Sequence, residues 1–377
     1  MRVVVAPDKF KGSLSAPQVA AHVSAGLERT VPSVEVRQVP VADGGEGTLD
    51  AAVSAGFRRV PVTAEGPTGE PVETSYVERD GVAVIELADV SGLRRLPGGR
   101  VAPGTASSYG TGEVLRAALD AGCRRLVLGI GGSACTDGGA GLVQALGGRL
   151  RNADGEGIGR GGAALGCVEI LDLAGIHPAL RTAEVVVASD VDNPLLGPRG
   201  AAAVYGPQKG ASAADIAELD AALARWAQAV SAATGVEAAG QPGAGAAGGV
   251  GFAALAVLGA TLRPGIDLIL ELVDFSATLP GAGLVVTGEG SLDEQTLHGK
   301  APVGVAAVAR SAGIPIVAVA GRSLLTPAEL APTGIRAAYA LTDIEPDPDR
   351  CMREAGPLLE LLAERVAVDW LRSDYRA

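Results

Sequence analysis

Lysine is nearly missing from this chain: its 377 residues include only Lys9, Lys11, Lys209 and Lys300, each close to a glycine. Aromatic residues make up 3%, so the core must come from Val, Leu, Ile and Ala. Cys123, Cys135, Cys167 and Cys351 are scattered, with no Cys-x-x-Cys pair. That excludes a disulfide framework or a zinc site and fits a reducing cytosol, so a cytoplasmic location is expected. His22, His177 and His298 form no ligand pattern and read as surface or structural groups. Positive charge is short as well. The net charge of −12 argues against nucleic acid or an anionic membrane as partner, because both are bound by clustered Lys and Arg. Small anions stay open to a local basic pocket. The apolar start, Val3–Ala6, is too short for a signal peptide. Residues 241–262 carry no charge but are rich in Gly and Ala behind Pro242. They read as a loop leading into a buried helix, not as a membrane span.

Two familiar motifs are absent. There is no Gly-x-x-x-x-Gly-Lys-Ser/Thr phosphate loop, and the protein-kinase signatures do not occur. Glycine, at 54 residues, is what the chain has in quantity. It is densest after the apolar run Leu126–Ile130, where Gly131, Gly132, Ser133, Asp137, Gly138 and Gly139 follow a predicted strand. A backbone without side chains can turn several N–H groups onto one anion, so this loop can cradle phosphate. A carboxylate beside such a cradle, here Asp137, calls for a cation.

The same design recurs along the chain. Val3–Ala6 and Val34–Val41 read as strands, each followed by an acidic glycine loop and a helix. Ser15 and Gln18 have capping-box spacing, with Pro17 in the first turn. Residues 58–63, 72–78 and 82–87 read as short β-runs, the last two joined through Asp80-Gly81, a hairpin signal. Parallel α/β character continues in strands at 185–189, 284–287, 314–320 and 337–341. Ser212 caps a long helix striped by Ile216, Leu219, Leu223, Trp226 and Val230, and a last helix runs to about Trp370. The opening two strand–helix units are too few to close a sheet. The expected fold is therefore two α/β domains. A Rossmann/flavodoxin-like parallel-sheet domain takes residues 1–57 and 280–377, and a mixed α/β domain with an antiparallel hairpin region is inserted at 58–279.

Predicted strands thus end at Asp8, Asp43, Asp137, Asp190 and the pair Glu289 and Asp293. In open α/β sheets ligands lie beyond the carboxyl ends of strands. A crowd of carboxylates there needs metal or lysine to offset it, and the four lysines lie on the same class of loop. Acids, lysines and glycine loops without a nucleophilic His or Cys fit phosphoryl transfer. Gly129-x-Gly131-x-x-Ala134 also matches a loose dinucleotide fingerprint, so an NAD(P)-dependent oxidoreductase is one alternative. A non-catalytic nucleotide or sugar-acid sensor is another.

The chain resembles the type 1 glycerate kinases over nearly its whole length. The resemblance rests on Ala-Pro-Asp-Lys-Phe-Lys-Gly (6–12), Ala-Asp-Gly-Gly-Glu-Gly-Thr (42–48), Gly-Ile-Gly-Gly-Ser-Ala (129–134) and Asp-Gly-Gly (137–139). Ser-Asp-Val-Asp-Asn-Pro-Leu (189–195), Gly-Pro-Gln-Lys-Gly-Ala (206–211), Pro-Gly-Ala-Gly-Ala-Ala-Gly-Gly (242–249) and Thr-Gly-Glu-Gly-Ser-Leu-Asp-Glu-Gln-Thr (287–296) follow in the same order. It departs at Cys135-Thr136, where the family commonly shows Thr-Asn. The resemblance implies phosphorylation of D-glycerate by ATP with Mg2+, with 2-phosphoglycerate as product and the active site between two α/β domains. With it, Gly131, Gly132 and Ser133 are expected to hold ATP phosphates and Asp190 to take the hydroxyl proton. Glu289 and Asp293 are expected at the metal, and Lys9 and Lys209 at the transferring phosphoryl group or the glycerate carboxylate. Lys11, Asn193 and Lys300 complete the binding set, while Asp43 and Asp137 are further catalytic candidates. No nucleic acid or membrane partner is expected, and the protein is read as a monomer or homodimer.

Overall fold

The structure is a computed structural model that describes residues 1–297 and 299–372. Its strands, in chain order, are β1 (Arg2–Pro7), β2 (Glu35–Gln38), β3 (Arg58–Glu65), β4 (Pro71–Arg79), β5 (Val82–Glu86), β6 (Arg125–Gly129) and β7 (Arg149–Arg151). They continue as β8 (Ile170–Asp172), β9 (Glu184–Ala188), β10 (Thr261–Arg263), β11 (Ala282–Leu292), β12 (Ile316–Ser323) and β13 (Ile335–Ala340). The chain divides into two compact units. The first is Met1–Asp43, Asp50–Gly56 and Ile266–Ala377; the second is Gly44–Leu49 and Phe57–Gly265.

The first unit is a parallel sheet in the order β13-β12-β11-β1-β2, a flavodoxin-like arrangement. Val3, Val4 and Val5 are buried without interruption, as are Leu284, Val285 and Val286. Continuous apolar runs of this kind suit strands covered on both faces. The helix Ala16–Thr30 begins where Gln18 Oε1 accepts the Ser15 amide at 2.9 Å. Its Val19, Val23 and Leu27 join Leu359, Leu362 and Val366 of the helix Ala355–Leu371 in one core. Strand order reverses between β1 and β11, the kind of place at which open α/β sheets bind ligands.

The second unit is a six-stranded sheet, β10-β9-β6-β5-β4-β3. Its first four strands are parallel, and the β3–β4–β5 meander adds the antiparallel edge. The β4–β5 turn places Asp80 and Gly81 at φ 52° and 79°, the left-handed pair that a two-residue hairpin requires. On one face lies a core containing Ile85, Leu126 and Leu128; another gathers around Trp226. Trp226 belongs to the helix Ala213–Thr234, which Ser212 caps by accepting the Asp215 amide and which Gly235 ends at φ 73°.

The unit boundaries differ from the expected ones in two places. The return to the first unit comes at Ile266, earlier than 280, because Ile266 packs where Gly304 lacks a side chain. Residues 44–49 go with the second unit, because Gly44 and Gly45 lie against Gly129 and Gly131. β2 is shorter than the apolar run that suggested it. β11 is longer, because Ser291 and Leu292 stay paired with β12. Among the described residues no helix is long and apolar enough to cross a membrane.

Candidate functional site

In the first unit the reversal point carries a group of acids. The Asp8 amide donates to the Gly288 carbonyl at 2.8 Å, which continues the β1–β11 pairing and sets Asp8 beside Glu289. Asp8 Oδ1 accepts the Lys9 amide at 2.6 Å and lies 3.4 Å from Lys9 Nζ. Burial raises the Asp8 carboxyl from its ordinary 3.8 to about 7; Lys9 opposes the rise, while Asp43 and Glu289 add to it. Burial also raises Glu289, with Asp293 and Asp43 adding and Thr296 and Lys300 opposing. Thr296 Oγ1 donates to Glu289, and Lys300 Nζ stands 3.9 Å from its other oxygen. Thr296 Oγ1 also accepts the Asp293 amide at 3.0 Å, so one hydroxyl ties the two acids together. Four carboxylates therefore share a field with two ammonium groups. Such an excess of hard oxygen donors suits a divalent cation that keeps water and phosphate ligands. Among the described residues no group of three or more His, Cys, Asp or Glu is placed to hold a metal ion by itself.

In the second unit, three glycine segments pack on one another. A Cβ at Gly129 would stand 2.4 Å from the Gly44 carbonyl, and one at Gly248 would stand 2.1 Å from the Cys135 carbonyl. Only glycine permits this stacking, and it seats the loop after β6 on residues 44–45 and 248–249. The loop is pinned from inside. Asp137, 0% exposed, accepts five hydrogen bonds: from Ser107 Oγ, Ser108 N and Oγ, Gly139 N and Gly141 N, at 2.8–3.2 Å. Lys209, 1% exposed, donates from Nζ to Ser133 Oγ at 2.9 Å and to the Cys135 carbonyl at 2.5 Å. Trp226 Nε1 donates to the Gly138 carbonyl at 2.9 Å. Gly131 and Gly132 remain exposed. Among the described residues, the N–H groups of Gly132 and Ser133 meet no acceptor. Two neighbouring free amides on an exposed glycine turn are the elements of an anion cradle.

The structure sorts the nominated residues accordingly. It gathers Lys9, Asp43, Glu289, Asp293 and Lys300 in the first unit, with Lys11 exposed on the same loop as Lys9. It places Gly131, Gly132, Ser133 and Asp190 at the strand ends of the second. Asp190 is exposed beyond β9, and its Oδ1 accepts the Gly265 amide at 2.8 Å. Three of the nominated residues are engaged by bonds within the protein. Asp137 and Lys209 are sealed beneath the loop, and each is taken up by bonds to it. Asn193 spends its amide on the Arg199 carbonyl at 2.8 Å and its oxygen on the Tyr205 hydroxyl at 2.6 Å, holding the segment after β9. Cys135 and Thr136 are both buried, and burial pushes the Cys135 thiol up, away from reactivity. His22 pairs with Glu360 and His177 with Asp120. His298 lies outside the described residues.

Two acids are missing from the nominated set. Asp8 stands among the strand-end acids but carries no assigned role in the sequence reading. Glu86 ends the apolar run of β5 and is buried; its Oε2 accepts the amides of Gly47 and Leu49 at 3.1 and 3.3 Å. A lone acid closing an apolar strand is the signal that marks it. It clamps the loop of residues 44–49 as Lys209 clamps the loop after β6.

A family model described as the glycerate kinase family matches residues 3–371. The chain is 44% identical over 377 residues to the glycerate kinase of Halalkalibacterium halodurans, covering 98% of this chain and 99% of that one. It is 44% identical over 326 residues to a protein of Escherichia coli named glycerate 2-kinase, with 85% of each chain covered. The crystal structure of a candidate glycerate kinase 2 from Salmonella typhimurium LT2 superposes with a TM-score of 0.85 at 41% identity, covering 98% of both chains.

Proposed function

This chain belongs to the glycerate kinase family, and we propose that it transfers the γ-phosphoryl group of ATP to the 2-hydroxyl of D-glycerate, releasing ADP and 2-phosphoglycerate. The observation that carries the reading is the acid group at the flavodoxin-like reversal, Asp8, Asp43, Glu289 and Asp293, flanked by Lys9 and Lys300. Phosphoryl transfer needs this combination: oxygen donors for a metal, cations for the phosphates and a carboxylate for the hydroxyl proton.

The residues fit Mg2+, and Glu289 and Asp293 would hold it, directly or through water, with Asp8 and Asp43 in support. Held there, the metal would supply positive charge against the charge that develops on the phosphates. The chain's own groups do the rest. The Gly132 and Ser133 amides hold phosphate oxygens of ATP. Lys9, Lys11 and Lys300 counter the charge of the phosphates and of the glycerate carboxylate. Asp190 accepts the proton of the 2-hydroxyl as its oxygen bonds to the γ-phosphorus and the bond from that phosphorus to ADP breaks.

The test is release of ADP on mixing purified protein, MgATP and D-glycerate, with the product identified by phosphorus NMR. A signal for the 3-phosphate would reassign the acceptor hydroxyl. No ADP release above the rate without glycerate would end the proposal.

A further inference from the structure

We infer that Lys209 is a positioning residue, which holds the loop after β6 in its anion-receiving shape and never touches a phosphate itself. An ammonium taken out of water is costly unless its protons are bonded. Lys209 bears that cost among the largest fully buried side chains of the molecule, and its bonded partners both lie on one loop. Bonds to Ser133 Oγ and to the Cys135 carbonyl fix two points that flank Ala134. The Ala134 amide in turn donates to the Ser91 carbonyl at 3.0 Å. With these three points held, the peptide planes of Gly132 and Ser133 keep a single orientation, although Gly132 at φ 74° is free to adopt others. The Ser133 hydroxyl is taken up by Lys209, so the group that Ser133 has left for an anion is its N–H. The turn Pro207–Lys209, closed by Gly210 at φ 86°, delivers the side chain from below. Asp137 faces the same ammonium electrostatically and bonds the far end of the loop, so cation and anion brace it at both ends.

This inference rests on the reading of Gly132 and Ser133 as the phosphate cradle, and its test separates the two. Lys209→Met keeps most of the length of the side chain and removes the charge; Ser133→Ala removes one bond and leaves the lysine in place. Hydrogen exchange of peptides covering Gly131–Gly139 should quicken by about tenfold or more in Lys209→Met, and less in Ser133→Ala, while peptides from β9 and the helix Ala213–Thr234 exchange as before. Affinity for MgATP, measured by titration calorimetry, should fall about tenfold, with the KM for D-glycerate within about twofold of the parent. Exchange unchanged in the loop, or raised equally throughout the second unit, overturns the positioning role. A loop that loosens without loss of MgATP affinity overturns its assignment as the phosphate cradle. Should Lys209→Met fail to fold, the same comparison is read from Ser133→Ala.

Discussion

Asp8, just past the end of β1, stands beside Glu289 of the neighbouring parallel strand β11 at the one place where the order of their sheet reverses, and Glu289 adds to the burial that raises the Asp8 carboxyl pKa. Neither charge is wanted there by the fold. Burial disfavours both, and Lys9 and Lys300 offset them only in part. A cost in stability at a strand end of an α/β sheet points to a gain elsewhere, in binding or chemistry.

Asp8→Asn therefore has opposite effects on stability and activity. Without metal, removing one charge from the crowd should raise the Tm by a few degrees, about 1 kcal/mol or more. The kcat with glycerate should fall by about a hundredfold or more, and the Mg2+ concentration needed for half-maximal rate should rise. Differential scanning calorimetry and a coupled assay on one preparation decide it. A variant that is both less stable and fully active would assign Asp8 to the fold.

Glu86 sets a pH dependence in the second unit. Burial lifts its carboxyl from 4.5 to about 7, against the bonds from Leu49 and Gly47 and the charge of Arg94. Between those values the folded protein keeps a proton that the unfolded chain has lost. This group's contribution is therefore fully present below the lower value and is lost as pH rises through about 7. Glu86→Gln removes that slope. Relative to the parent it should gain up to about 3 kcal/mol between about pH 5 and pH 8, read by urea unfolding. A difference between the two proteins that does not change with pH would show that Glu86 does not titrate in this range.

Much of this architecture is legible in the sequence, where local chemistry decides it. Ser212 with Asp215, Ser15 with Gln18, and the Asp80-Gly81 turn all act within a few residues, and the structure has each of them. The unbroken valines of β1 mark a buried parallel strand before any partner is known. What spacing cannot give is which acids meet. Asp43, Asp137 and Asp190 follow strands in similar words, yet one joins Asp8, one is sealed under a loop and one stands exposed. Lys209 reads as a loop charge because its bonding partners lie 76 and 74 positions away. β7 and β8, three residues each, show no periodicity to read.

Gly131→Ala tests the stacked glycine segments. The added Cβ would stand 2.8 Å from Gly45 Cα, a backbone atom that cannot swing aside. The two loops must part, at about 1–3 kcal/mol, and MgATP affinity should fall with them. Gly157→Ala is the control, since a Cβ there meets nothing within 4 Å. Equal melting temperatures and equal nucleotide affinity in the two variants would show that the close approach is not needed.

Asp137 and Asp190 are told apart by what touches them. Asp137 accepts five hydrogen bonds inside the protein and has no exposed surface. Asp190 is exposed, and its Oδ1 bonds the Gly265 amide. Asp137→Asn replaces one acceptor oxygen by a donor facing donors, so about 3 kcal/mol or more of stability should go, and activity should fall with the folded fraction. Asp190→Asn keeps an oxygen for the Gly265 amide but cannot take a proton. It should melt close to the parent and bind MgATP as tightly, with kcat lowered by about a thousandfold. The comparison also bears on the order of events. If the base acts only as the oxygen–phosphorus bond forms, the Asn variant still binds glycerate, and its KM for glycerate stays near that of the parent. An Asp190→Asn enzyme with full kcat would return the proton to another acid, and Asp43 would be the next to replace.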